Sequence, residues 1–286
     1  MAATPRFLII DGYTRSARDE LSQGGASLAA GLYDRMLKKC GPTGTECDTL
    51  FPSEAGAELP TGASVEQYDG IAWTGCSLCI NDASDDVARQ VAFARLVFQR
   101  GIPSFGSCWA AQIAIAAAGG TIQANPHGRE MGIARKIELT PAGRGHPMYA
   151  GKADVFDAFS SHDDEVTHLP PGAVSLAGNA WTEVQAVSVV HRGGTFWGLQ
   201  YHPEYDLHEL ARLTFCRIEK LIRHGFFRSR EEALVYVDQL EALHEDRSRK
   251  DLAWQLGIDS DVLSDDVRLI EVRNWIWQLV LPSMRR

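Results

Sequence analysis

Phe7-Leu8-Ile9-Ile10 is an unbroken apolar run that stops at Asp11-Gly12, and runs of this kind constrain the fold most. A strand with one wet face alternates apolar and polar residues. One that is apolar throughout has both faces covered, as in a parallel sheet packed between helices. Ile71-Ala72-Trp73 repeats the pattern before Thr74-Gly75, and Ile102-Pro103-Ser104-Phe105-Gly106 leads another segment toward Cys108. Helical spacing fills the intervals: Ser27 to Lys39 carries Leu28, Leu32, Met36 and Leu37, and Asp85 to Arg100 carries Val87, Val91, Ala94, Leu96 and Val97. Strand, helix and strand in alternation predict a doubly wound α/β fold.

After Cys108 the alanine-rich stretch to Ala118 reads as a helix that Gly119-Gly120 stops. Short alternating segments between Arg135 and Val190 predict a more β-rich second half of the same domain. Beyond Glu204 the pattern turns helical and charged, with amphipathic stretches at Leu207 to Ile222, Arg230 to Leu243 and Asp266 to Leu281. The chain thus divides into an α/β domain, residues 1–206, and a helical C-terminal extension, residues 207–286. Hydrophobic residues at 45% and charged residues at 23% suffice for a sizeable core.

Lys and Arg number 28 against 37 Asp and Glu, a formal charge of −9, which disfavours nucleic acid and anionic membranes as partners. No apolar stretch is long enough for a membrane span, and the run at Phe7 is too short for a secretory leader. The six scattered cysteines read as thiols of a cytoplasmic protein. Cys76-Ser77-Leu78-Cys79 is a C-x-x-C, but no second pair or His ligands follow at a metal-site spacing, so a plain loop is expected and no metal.

Gly106-Ser107-Cys108-Trp109-Ala110 has small residues flanking a nucleophile, the pattern of a sharp strand-to-helix elbow. A thiol at a helix N-terminus is favoured as thiolate, the attacking species. A buried structural cysteine is the ordinary alternative. Trp197 to Tyr201 is an apolar, strand-like run that ends in His202-Pro203-Glu204. Residues two apart on extended chain point the same way, so Glu204 can hold the imidazole that exchanges protons with Cys108. Alone, an exposed His and Glu would be unremarkable; the pairing with the elbow gives them meaning. Thr74-Gly75-Cys76-Ser77 follows a strand and is either a plain turn or a loop aiming a backbone N–H at an oxyanion, beside the N–H of Trp109.

In this order the three elements resemble the class I, triad-type glutamine amidotransferase family, and among its members the glutaminase domain of GMP synthase. Gly119-Gly120-Thr121 through Arg129-Glu130-Met131-Gly132 and Ser161-His162-Asp163-Asp164-Glu165-Val166 with Leu169-Pro170 extend the likeness over roughly residues 7 to 206. The resemblance implies an open, mostly parallel, flavodoxin-like sheet. It implies attack by Cys108 on the side-chain amide of glutamine, a γ-glutamyl thioester, His202 as acid and base, and Glu204 orienting it. Gly75 or Cys76, with Trp109, would form the oxyanion hole. Gln112 with Ser161, His162 and Asp164 would recognise the amino-acid end of the substrate, and no cofactor is implied. Two departures stand out: Ala110 replaces the last glycine of the elbow, and Cys76 a glycine of the oxyanion loop.

Three functions follow. The first is a glutaminase whose ammonia serves a synthase acting in trans, with the C-terminal helices as a docking or self-association surface, or simply packed on the core. The second is a hydrolase of γ-glutamyl peptides or amines. The third, a non-catalytic binding protein, is disfavoured by the intact Cys108, His202 and Glu204.

Overall fold

The computed structural model describes residues 4–54, 56–60 and 62–284. The first half alternates β1 (Arg6–Ile10), α1 (Arg15–Gln23), α2 (Ala29–Cys40), β2 (Glu46–Leu50), β3 (Gly70–Trp73), α3 (Asp85–Arg100), β4 (Ser104–Ser107) and α4 (Trp109–Ala118). The second half is mostly strand: β5 (Thr121–Ala124), β6 (Glu130–Leu139), the short α5 (Pro141–Arg144), β7 (Val155–His162), β8 (Asp164–His168), β9 (Ala173–Gly178), β10 (Ala186–His191) and β11 (Gly194–Leu199). Helices α6 (Leu207–Cys216), α7 (Ile218–Arg223), α8 (Arg230–Glu245) and α9 (Lys250–Leu256) follow. Short helical pieces α10 (Ser260–Leu263), α11 (Asp265–Arg268) and α12 (Ile270–Asn274) lead into a π-helical stretch, Trp275–Val280.

Nine strands form one sheet in the order β2-β1-β3-β4-β11-β10-β9-β6-β7; β5 and β8 pair separately. From β2 to β11 neighbours run parallel, and from β11 to β7 they run antiparallel. The parallel part holds the apolar runs read from the sequence. Along β1 the side chains alternate between two cores: Leu8 and Ile10 join α3 and α4 on one face, while Phe7 and Ile9 face α2 and the end of the chain on the other. Trp275 is fully buried on that second face, 5.2 Å from the ring of Phe7 and 5.6 Å from that of Phe105. A third cluster joins α1, α6 and α8 around Tyr205, Leu210 and Leu240.

Local chemistry explains the helix limits. Ser84 accepts the Val87 N–H at the start of α3, Asp85 and Asp86 occupy its first turn, and Gly101 ends it with φ of 68°. Gly119, at φ 97°, ends α4 where the sequence predicts it. Sequence pattern misses α1, which buries little beyond Leu21, and the edge strand β2, in which only Leu50 is buried. The expected single helix from Leu207 to Ile222 is interrupted at Arg217. That from Asp266 to Leu281 is broken into short turns and the π-helical stretch. No helix among the described residues is long and apolar enough to cross a membrane.

Candidate active site

Three loops at the C-terminal ends of neighbouring parallel strands meet at one point: Thr74–Ser77 after β3, Cys108 after β4, and His202–Glu204 beyond β11. Cys108 occupies the turn between β4 and α4 with φ 55° and ψ −106°, a conformation that costs an L-residue roughly 1–3 kcal/mol. Its N–H donates to the Leu199 carbonyl at 2.6 Å, which fastens the elbow to β11. Gly106 must be glycine, because a Cβ there would stand 2.4 Å from both the Trp73 carbonyl oxygen and the Ala110 Cβ. The alanine at the elbow's last position thus fits only over a glycine.

The thiol donates to the Ser161 carbonyl at 3.7 Å and lies beside His202. The Nδ1 of His202 is 2.7 Å from Glu204 Oε1, and the Nε2 has no hydrogen-bond partner among the described residues. Burial by itself would lower the imidazole pKa, but the Glu204 carboxylate and the Cys108 thiol beside it push it up to about 9. Glu204 is held in turn: Ser107 Oγ donates to its Oε1 at 2.8 Å, and the Tyr33 hydroxyl sits 2.6 Å from that Oγ. Tyr205 stacks on the His202 ring at 4.0 Å and 5°. Arg268, from α11, donates to the Pro203 carbonyl between His and Glu at 3.1 Å. Of these, Ser107 and Tyr205 lay within or next to the motifs; Tyr33 and Arg268 carry no signal in the sequence.

Gly75 packs against the pair so closely that a Cβ would meet His202 Cε1 at 2.9 Å and Cys108 Cβ at 3.4 Å. The Thr74 hydroxyl donates to the Gly75 carbonyl at 2.8 Å and itself accepts the Gly12 N–H at 3.1 Å. In a trans peptide the next N–H points opposite the carbonyl, so this bond fixes the direction of the Cys76 N–H. The Trp109 N–H lies in the first turn of α4, where no intrahelical acceptor exists. Its indole donates to Gln90 at 2.8 Å, and Gln90 donates to the Gly12 carbonyl at 3.1 Å, so β1, α3 and α4 are locked together beside the elbow.

These residues open onto a cavity of about 240 Å³ whose walls include Gln112, Ser161, His162 and Asp164. Gln112 Nε2 donates to the Asp164 carbonyl and to Gln200 Oε1, each at 3.4 Å. His162 is buried with both nitrogens engaged, 2.9 Å from Glu130 Oε2 and 2.9 Å from the Asp164 carbonyl. Glu130 also takes Gln185 at 2.7 Å and Asn179 at 2.8 Å; burial opposes its charge, but His162 foremost, with Asn179 and Gln185, holds its pKa below the ordinary value. Cys76 and Cys79 line the cavity as free thiols, and Cys79 donates to Asp164 Oδ2 at 3.1 Å. Burial pushes the Cys76 thiol well above its ordinary pKa. Among the described residues no group of three or more His, Cys, Asp or Glu side chains is placed to hold a metal ion. The cavity also contains Tyr13, Arg217 and Lys220, which sequence reasoning did not find, and Arg129, which it placed in a family-like segment without a role.

The family model of class-I glutamine amidotransferases matches residues 76–218. A γ-glutamyl-L-1-hydroxyisopropylamide hydrolase of a Pseudomonas species is 34% identical, with 98% of this chain and 95% of that protein aligned. The glutamine-hydrolysing GMP synthase of Thiobacillus denitrificans is 30% identical over 45% of this chain, a stretch that spans 29% of that enzyme. A glutamine amidotransferase structure from Thermotoga maritima superposes with a TM-score of 0.68 at 15% identity, covering 97% of this chain and 99% of that one, and so shares the mixed, mostly parallel sheet with flanking helices. On the family match and the full-length relative, the chain belongs to the class I glutamine amidotransferase family and is an amide-hydrolysing enzyme.

Proposed function

We propose that the enzyme hydrolyses γ-glutamyl amides whose amine is larger than ammonia, through a γ-glutamyl thioester on Cys108. The observation that carries this reading is the reach of the similarity. The Pseudomonas hydrolase aligns along 98% of the chain, and so takes in the C-terminal helices, whose Arg217 and Lys220 line the cleft. The GMP synthase aligns along 45%.

The geometry supports a definite division of labour. With the proton of the pair on His202 Nε2, the Cys108 sulfur adds as thiolate to the γ-carbonyl carbon. The resulting oxyanion accepts from the N–H groups of Trp109 and Cys76, which preorganised backbone holds without rearrangement. His202 protonates the departing amine, the carbonyl re-forms as a thioester, and the amine leaves. Water then gives a proton to His202 as it attacks the thioester, and glutamate departs, which leaves the Cys108 thiolate beside the His202 imidazolium once more. Glu204 stabilises the imidazolium of each step, and Ser107 and Tyr33 keep the carboxylate in place. Gln112, Ser161 and Asp164 bound the γ-glutamyl pocket, while His162, with both nitrogens occupied, shapes its wall. The six free thiols fit a reducing, cytoplasmic setting.

The test is turnover of a panel of γ-glutamyl alkylamides beside L-glutamine, with Cys108→Ala as the control. A kcat/KM for alkylamides well above that for glutamine is expected, and none with Cys108→Ala. A marked preference for glutamine would instead favour the second reading, a glutaminase feeding a synthase in trans, which the likeness to GMP synthase supports.

A further inference from the structure

The cavity wall beyond the nucleophile carries more positive than negative charge. Arg129 and Lys220 both donate to the same oxygen of Asp163, at 2.6 and 2.8 Å. Asp164 receives the Cys79 thiol. Arg217 has no carboxylate within ion-pair distance among the described residues; its Nη1 donates to the Ser161 hydroxyl at 2.7 Å. Arg129 donates to that same hydroxyl at 2.8 Å, its side chain is only 5% exposed, and its Nε has no hydrogen-bond partner among the described residues. Two guanidiniums therefore converge on one neutral oxygen, which leaves cationic hydrogen-bonding capacity unspent in a partly desolvated wall. Such charge is costly unless an anion joins it. The main-chain carbonyl of this Ser161 accepts from the Cys108 thiol, so the two arginines stand one residue away from the reacting sulfur.

We propose that Arg217 and Arg129 form a subsite for a carboxylate of the substrate. The planar fork of arginine suits bidentate recognition of that group. The nature of the scissile bond is taken from the γ-glutamyl amide reading above; the subsite itself rests on the charges and distances. A γ-glutamyl substrate offers one carboxylate of its own, four carbon–carbon bonds or about 5 Å from the carbonyl carbon that Cys108 attacks. An amino-acid leaving group would offer another. A second cavity, of about 320 Å³, shares Arg217 and Lys220 with the first and leaves room on the far side of Arg217.

Binding separates the two sources without any need for turnover. In Cys108→Ala protein, calorimetry would give Kd for γ-glutamylmethylamide, for its α-methyl ester and for γ-glutamylglycine, with Arg217 intact, Arg217→Lys and Arg217→Gln. Loss of a charged hydrogen bond predicts that Arg217→Gln weakens γ-glutamylmethylamide about 10- to 100-fold and leaves the ester nearly unchanged, with Arg217→Lys between. That result assigns the subsite to the α-carboxylate. A penalty confined to γ-glutamylglycine assigns it to the leaving group. Equal penalties on acid and ester, no penalty at all, or no binding with Arg217 intact would overturn the subsite. Thermal melts of each variant expose a folding defect, and Arg217→Lys keeps the charge should Arg217→Gln fail to fold. Absence of wild-type turnover on alkylamides would count against the proposed reaction alone, since the binding differences do not depend on it.

Discussion

His202 owes its raised pKa to two neighbours acting against its burial, and the sign of that shift determines what pH should do. Its folded value of about 9 lies above the ordinary 6.5, so the protonated ring stabilises the fold fully below pH 6.5. That contribution is lost as the pH climbs through about 9. Activity should share the upper limb, because an imidazolium is needed to protonate the leaving amine. We expect kcat/KM to fall above pH about 9, and Glu204→Gln to move the limb toward lower pH while reducing kcat on the order of 10²- to 10⁴-fold. A pH–rate profile checks both, and an unmoved limb would remove Glu204 from its role. That Cys108, His202 and Glu204 come together was legible because local backbone displays each: a strand-to-helix elbow, and a spacing of two on extended chain. The residues that hold them are another matter. Tyr33 and Arg268 arrive from remote positions, and nothing in their own neighbourhoods marks them.

Among the elements, the C-terminal helices show best how far a periodic pattern carries. Apolar spacing reveals which face of a helix is buried, and it located α6, α8 and the last helical region to within a few residues. It does not tell which polar residue on the other face meets a neighbour. The interruption at Arg217, between α6 and α7, sets this side chain against Ser161, and only the packing of that junction on β7 decides it. A second polar anchor is Lys152 with Glu271 of α12, 3.1 Å apart and nearly sealed from water, with the Tyr201 hydroxyl donating to the same carboxylate at 2.6 Å. Removing one partner strands a buried charge. Glu271→Ala should destabilise the fold by about 3–5 kcal/mol, read from denaturant unfolding, whereas an exposed pair such as Arg144 with Glu138 should be close to neutral.

At the scale of the whole molecule, residues 207–286 do more than decorate a finished domain. Trp275 covers Phe7 and Phe105 on one face of the sheet, and Ile276, Val280 and Leu281 extend that core. We expect a chain truncated after residue 264 to expose this face, bind a hydrophobic dye and aggregate; a monomeric truncation with native melting would show the segment to be dispensable. The sequence by itself indicated the parallel half of the sheet, since apolar runs without alternation need both faces covered, and the elbow that presents Cys108, since a sharp strand-to-helix turn is a local backbone property. Only the tertiary structure decided that the far end of the chain closes the core, anchors the His-Pro-Glu turn through Arg268 and lends Arg217 and Lys220 to the cleft. Those contacts join residues far apart in sequence. Their energy comes from burial and pairing that exist only once the sheet and helices have met, so no local pattern records them.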